Sequence, residues 1–308
     1  MDMFSLHPRF GVEVRGLDLR EVTAETHYPQ LRELFERHSL LLFREQRMNE
    51  PVHNELASLF GPLEDRIADS QGTRARSRPP VPVLSNRTAD GAVATPEQSL
   101  AVQNLIGNQQ WHTDSTFLRT PALINAITAY VVPSSGGETE LVSTRAAWED
   151  LPTAMQVRTR AAVFLHSVLP SRIRVNPDLL TLEEIDHHKS QAWNAIWPNP
   201  VTGEEALYIA GHVYGVRGMT ENEASEFVTE LIEFCTRPEY VYSHRWRPGD
   251  VMIWDERATM HRGRPWPYEE ERTLASCCVS ARDVDGLAGV RPRGGPPSDA
   301  EVFRWQPA

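Results

Sequence analysis

The segment Trp111-His112-Thr113-Asp114 sets an imidazole and a carboxylate two residues apart. On an extended strand, residues i and i+2 point to one face, so both side chains are able to grip one ion. Two histidines and one carboxylate on one face of an octahedron leave the other positions open, which suits non-haem iron(II) in oxygen chemistry. A His-x-Asp pair alone carries little weight in a chain with 11 histidines, where a surface dipeptide is the commoner explanation. The second histidine comes from WDERATMH, in which His261 closely follows the apolar run Val251-Met252-Ile253-Trp254. Arg272 lies 11 residues beyond His261 and opens the strand-like run TLASCCVS, so it is expected to point into the same cavity. A planar guanidinium is the fitting partner for a carboxylate gripped at two points. Taken alone, Arg272 beside Glu269, Glu270 and Glu271 reads equally well as a solvated charge.

These groups need elements to position them. Leu31, Leu34 and Phe35 recur at helical spacing, predicting a helix over 29–38 that runs into an apolar strand over 39–43. A second helix is predicted over 51–60, with Val52, Leu56, Leu59 and Phe60 inward and Gly61-Pro62 ending it. The basic, proline-rich stretch 72–82 reads as a loop, followed by a short strand in VPVLSN and a polar loop to Ser99. PALINAITAYVV (121–132) reads as a buried strand, PSSGG as a turn and 138–142 as the next strand, with Thr144 opening a short helix. Thr220 and Glu223 form a capping box before a helix carrying Phe227, Leu231, Ile232 and Phe234 inward. YVYSHRW, VMIWD and TLASCCVS make a strand-rich block. Many short strands with a few flanking helices favour a mainly β, cupin-like double-sheet jelly roll over a parallel α/β sheet.

Composition sets outer limits. The chain has 308 residues, of which 40% are hydrophobic and 24% charged, enough apolar material for a sizeable core. A formal net charge of -11 opposes binding to phosphate backbones and sets nucleic acid aside as a partner. Cys235, Cys277 and Cys278 do not make a disulfide framework, and the adjacent pair points to opposite faces of a strand, so a reducing cytoplasm is expected. The N-terminus lacks the basic and apolar regions of an export signal, and no run approaches the ~18 apolar residues of a membrane span. One domain is expected over 1–288, with a loosely ordered tail over 289–308.

WHTDSTF, PALINAITAYVVPSSGGETELVSTRAAWEDLP, HRWRPGDVMIWDERATMHRGRPW and Arg272 together resemble the taurine and 2,4-dichlorophenoxyacetate dioxygenase family, nearer its aryloxyalkanoate branch. The agreement in order and spacing runs from FGVEVRGLDL and HSLLLFREQ to about residue 281. The resemblance implies a double-stranded β-helix and iron(II) held by His112, Asp114 and His261. It implies 2-oxoglutarate as co-substrate, with Arg272 on its far carboxylate and the Thr139 hydroxyl on one of its carboxylates. With O2, the expected outcome is hydroxylation of a C–H bond of a small organic substrate, releasing succinate and CO2. The carboxylate at Asp114 favours this outcome, since related halogenases lack it. Two alternatives stand beside it: a biosynthetic desaturase or cyclising oxygenase on the same site, and a non-catalytic cupin-like metal-binding or sensor protein. Arg272 and Thr139 argue against the second, because a sensor has no need of a co-substrate clamp. Family habit implies a homo-oligomer, dimer or tetramer.

The substrate half departs from the pattern. The family's best-known members carry a second arginine four residues after the co-substrate arginine, where it meets the substrate anion. Ser276 stands there in this chain, which makes taurine an improbable substrate. Asn108 and His212 match family positions near the substrate. A lid-like insert around 166–200 holds Arg172 and Arg174, either of which is a candidate replacement cation. It also holds His187-His188, read as a solvated pair because adjacent helical residues point about 100° apart.

Overall fold

The computed structural model describes residues 1–65, 68, 76, 79–180 and 190–304. Its largest sheet has the order β1 (Asp2–Ser5), β2 (Val12–Arg15), β3 (Leu40–Phe43), β13 (Val251–Asp255), β5 (Ala122–Val131), β15 (Thr273–Ser280) and β4 (Val83–Ser85). All its pairings are antiparallel except β2 with β3. Facing it is a three-stranded sheet, β12 (Val241–His244), β6 (Thr139–Ser143) and β14 (Thr259–Gly263). A second three-stranded sheet joins β11 (Val213–Val216), β7 (Val163–His166) and β8 (Gln191–Asn194), while β9 (Ile196–Pro198) pairs with β10 (Glu205–Leu207). This is the jelly roll with flanking helices that the strand pattern predicts.

The central strands are apolar on both faces because both faces are covered. Along β3, Leu41 and Phe43 join one core cluster and Leu40 and Leu42 another. Along β13 the same alternation sends Val251 and Ile253 one way, Met252 and Trp254 the other. The outer face is covered by α1 (Tyr28–His38) and α2 (Glu50–Phe60), whose Leu31, Leu34, Phe35, Leu56 and Phe60 enter the first cluster. The second cluster lies inside the roll and includes Leu141 from β6. Both predicted helices form within a residue of their expected bounds. On α2, however, Val52 and Leu59 are half-buried, and the inward face also carries His53 and Asn54. His53 Nε2 lies 2.9 Å from the carbonyl of Ala126, so a buried polar group is satisfied there.

Three further helices bear on the site: α3 (Leu100–Gly107), α4 (Thr144–Asp150) and, after α5 (Thr153–Arg160), α6 (Leu169–Val175). The capping box of Thr220 and Glu223 opens α7 (Glu221–Cys235). Phe227 and Leu231 are buried as predicted, Ile232 and Phe234 only partly, and Ala224, Val228 and Cys235 complete the inward face. Residues 301 and 303 touch the body of the fold. Arg217 Nε bonds Glu301 Oε1 at 2.7 Å, the Phe303 ring sits edge-on to Tyr214 at 5.4 Å, and Phe303 N–H reaches Ser190 Oγ at 3.1 Å. No described helix is long and apolar enough to cross a membrane.

Candidate active site

His112 and His261 are brought together by the backbone. Each donates its N–H to the other's carbonyl, at 2.9 and 2.8 Å, across an isolated antiparallel bridge that extends β14. Their ring centroids are 4.1 Å apart. The extended chain through 112–114 turns Thr113 away, its hydroxyl shared between the carbonyls of Ile209 and Thr259, and leaves His112 and Asp114 on one side. Ser115, with φ 57°, then bends the chain off in a left-handed turn. Nitrogen and oxygen ligand atoms from His112, Asp114 and His261 all lie within 4.8 Å of one another, a spacing able to hold one metal ion.

The surroundings orient these three groups. His112 Nδ1 sits 2.7 Å from the carbonyl of Gln110, so Nδ1 carries the proton and Nε2 presents its lone pair. Asp114 is held from three directions. Its backbone N–H donates to Glu256 Oε2 at 2.9 Å, Asn125 Nδ2 donates to its Oδ2 at 2.6 Å, and Cys278 Sγ lies 3.7 Å from the same oxygen. Glu256 is fully buried, takes the Trp254 indole N–H at 2.7 Å and lies 3.9 Å from His261 Nδ1. Burial, and then the Asp114 carboxylate, push the Glu256 carboxyl well above its usual range.

Behind the turn between β13 and β14, Arg257 is buried in a knot of charges. It bonds Asp255 at 2.8 Å and Glu36 Oε2 at 2.7 Å, pinning this hairpin to α1.

Arg272 is buried against the Trp266 ring, 5.1 Å from its centroid, and donates through Nε and Nη2 to the carbonyl of Gly137. Among the described residues no carboxylate pairs with it, and burial lowers its guanidinium to about 10. Gly137 has φ +70°, and a Cβ there would stand 3.1 Å from Arg272 Nε, so the glycine is what lets the arginine approach. Thr139, two residues on, is buried and receives the Trp246 indole N–H at 2.9 Å. It pairs with Gly263 on β14, two residues along that strand from His261.

The remaining candidates scatter around this centre. The His212 ring lies 5.8 Å from His112 and edge-on to Phe117 at 5.3 Å. Asn108 accepts the Gly263 N–H on its carbonyl and faces Arg172 with Oδ1, at 3.3 Å from Nη2. Arg174 donates to Gln110 Oε1 and to the Gly211 carbonyl, so α6 is fastened to the loop carrying His112. Ser276 is turned to Asn125, donating to Oδ1 at 2.9 Å. His187 and His188 lie outside the described residues. Sequence reasoning overlooked Asn125 and Glu256; the available signal was a single amide in the otherwise apolar strand ALINAITA.

The family model described as taurine catabolism dioxygenase TauD, TfdA family matches residues 2–278. An alpha-ketoglutarate-dependent 2,4-dichlorophenoxyacetate dioxygenase of Cupriavidus pinatubonensis is 32% identical over 277 residues, covering 87% of this chain and 94% of the relative. A (S)-phenoxypropionate/alpha-ketoglutarate-dioxygenase of Sphingobium herbicidovorans is 26% identical, covering 89% of this chain and 92% of the relative. The crystal structure of AAD-2 in complex with Mn(II) and N-oxalylglycine superposes with a TM-score of 0.83 at 28% identity, covering 91% of this chain and 98% of that one. With its jelly roll, its two buried histidines and a half-buried aspartate beside them, the chain belongs to the TauD/TfdA family of dioxygenases.

Proposed function

We propose that the chain is an iron(II)- and 2-oxoglutarate-dependent dioxygenase that hydroxylates a C–H bond of a small organic substrate, with His112, Asp114 and His261 as the metal ligands. The observation that carries the residue assignment is the convergence of those ligand atoms within 4.8 Å, with Nε2 of His112 presented by its Nδ1 contact. The donor set fits iron(II): two imidazoles and one carboxylate, leaving positions for a chelating co-substrate and oxygen. Bound iron supplies, with 2-oxoglutarate and O2, the oxidising power to break an unactivated C–H bond while succinate and CO2 are released.

The chain's own part is placement. Arg272, a buried cation with no carboxylate partner among the described residues, takes the far carboxylate of 2-oxoglutarate, and Thr139 lends its hydroxyl to the same molecule. The indoles of Trp246 and Trp266 close around them and keep water out. His212 and Asn108 border the substrate. With Ser276 engaged elsewhere, Arg172 and Arg174 on α6 supply positive charge for a substrate anion of the kind that the aryloxyalkanoate relatives take.

Three buried free cysteines support a reducing, cytoplasmic setting. The exposed Met3 and Phe4 on edge strand β1 support a homo-oligomer.

Anaerobic protein given iron(II) and 2-oxoglutarate is expected to show a weak visible charge-transfer band, and aerobic incubation with substrate to release succinate. Absence of both from metal-loaded protein would sink the reading. Screening aryloxyalkanoates, alkyl sulfates and amino-acid derivatives by succinate release identifies the substrate.

A further inference from the structure

We propose that Asn125 and Ser276 act as one positioning pair that fixes the carboxylate of Asp114 toward the metal. The inference rests on Asp114 being a ligand. A carboxylate accepts hydrogen bonds only, so the amide of Asn125 must meet it with its NH2 end, and Nδ2 does so at 2.6 Å from Oδ2. An amide can flip, however, and the flipped form would set two acceptors against each other. Asp114 fixes the orientation from one end, and Ser276 completes it from the other: its hydroxyl donates to Asn125 Oδ1 at 2.9 Å, so both ends of the unflipped amide are engaged.

Both residues stand on strands inside the largest sheet. Asn125 on β5 pairs with Trp254 on one side and Cys278 on the other, and Ser276 on β15 pairs with Ile127. Ser276 and Cys278 are two apart and share the face that looks toward Asp114, while Cys277 turns away to Asn54 at 3.9 Å. The support is therefore as rigid as the sheet. Its effect is to engage one oxygen of Asp114 and bias the carboxylate toward binding the ion through the other. One-oxygen binding leaves a metal position for the co-substrate or oxygen that two-oxygen binding would fill. Ser276 thus serves the metal half of the site, which accounts for a small neutral residue at a position otherwise suited to a substrate cation.

The test titrates metal-free protein anaerobically with Co(II), reading affinity and the visible ligand-field bands. N125A is expected to raise the Co(II) Kd by about 10–100-fold, in the range seen when partners behind a ligand are removed. It is also expected to change the band intensity as the freed carboxylate alters its binding. S276A gives a smaller rise, S276T restores it, and the N125A/S276A double variant is no worse than N125A alone. Wild-type affinity and spectrum in S276A and N125A, or losses that multiply in the double variant, would overturn the pairing, whatever happens to the melting temperature. D114A separates the two levels: retention of tight Co(II) binding there overturns the ligand reading itself.

Discussion

His112 and His261 exchange both main-chain hydrogen bonds, at 2.9 and 2.8 Å, so their rings are juxtaposed by backbone rather than by side-chain packing. Removing an imidazole leaves that bridge in place. H112A, D114A and H261A are each expected to lose more than ~100-fold in metal affinity, beyond what loss of an outer partner costs. Their metal-free melting temperatures should stay near the wild-type value. Metal titration and melting of the same samples decide the matter, and collapse of the fold in these variants would contradict it.

Arg272 is buried, and among the described residues its guanidinium bonds a carbonyl, faces an aromatic ring and has no carboxylate within ion-pair distance, so its charge is available to an anion. R272A should raise the KM for 2-oxoglutarate by ~100-fold or more, as loss of one partner of a buried charged pair costs about 3 kcal/mol or more. R272K keeps the charge without the planar fork and should fall between. Succinate release against co-substrate concentration measures both, and an unchanged KM in R272A would remove the clamp.

The two arginines of α6 should separate substrate from co-substrate. An R172A/R174A double variant is expected to raise the substrate KM about tenfold or more while the KM for 2-oxoglutarate changes little. Unchanged substrate affinity would leave the anion anchor to other groups.

Acid should destabilise the protein through buried neutral histidines. Burial lowers His53 to about 4 and His166 to about 3, against an ordinary 6.5. Below pH 6.5 the unfolded chain takes up these protons and the folded chain does not, so stability falls as pH falls toward the lowered values. Between pH 6.5 and 5 each group removes about 2 kcal/mol. Urea midpoints of metal-free protein at the two pH values should differ less for H53Q and H166L than for wild type; an equal difference would assign the effect to other groups.

Much of this was legible along the chain because the signals are local. The i, i+2 spacing of His112 and Asp114, the position of His261 after VMIW, and the capping box at Thr220 depend only on neighbours. The helices over 28–38 and 50–60 follow from apolar spacing within one turn. What was hidden depends on contacts between distant segments. Asn125 reads as one amide in a strand until β15 brings Ser276 beside it and the 112–114 segment brings Asp114. The spacing of His53 to Leu56 and Phe60 allows it to face inward, but its hydrogen-bond partner, the Ala126 carbonyl, appears only with the fold. The contacts of Glu301 and Phe303 are equally invisible along the chain, because their partners lie 84 and 113 residues away.

The burial of Arg272, with no carboxylate bonded to it among the described residues, has a consequence beyond turnover. Burying this guanidinium carries a desolvation cost which, on the proposed role, an arriving dicarboxylate offsets. At one hundred times its Kd such a ligand adds about 2.7 kcal/mol to stability. The stability of the fold is then tied to its fuel: protein without 2-oxoglutarate is expected to open more often than protein saturated with it.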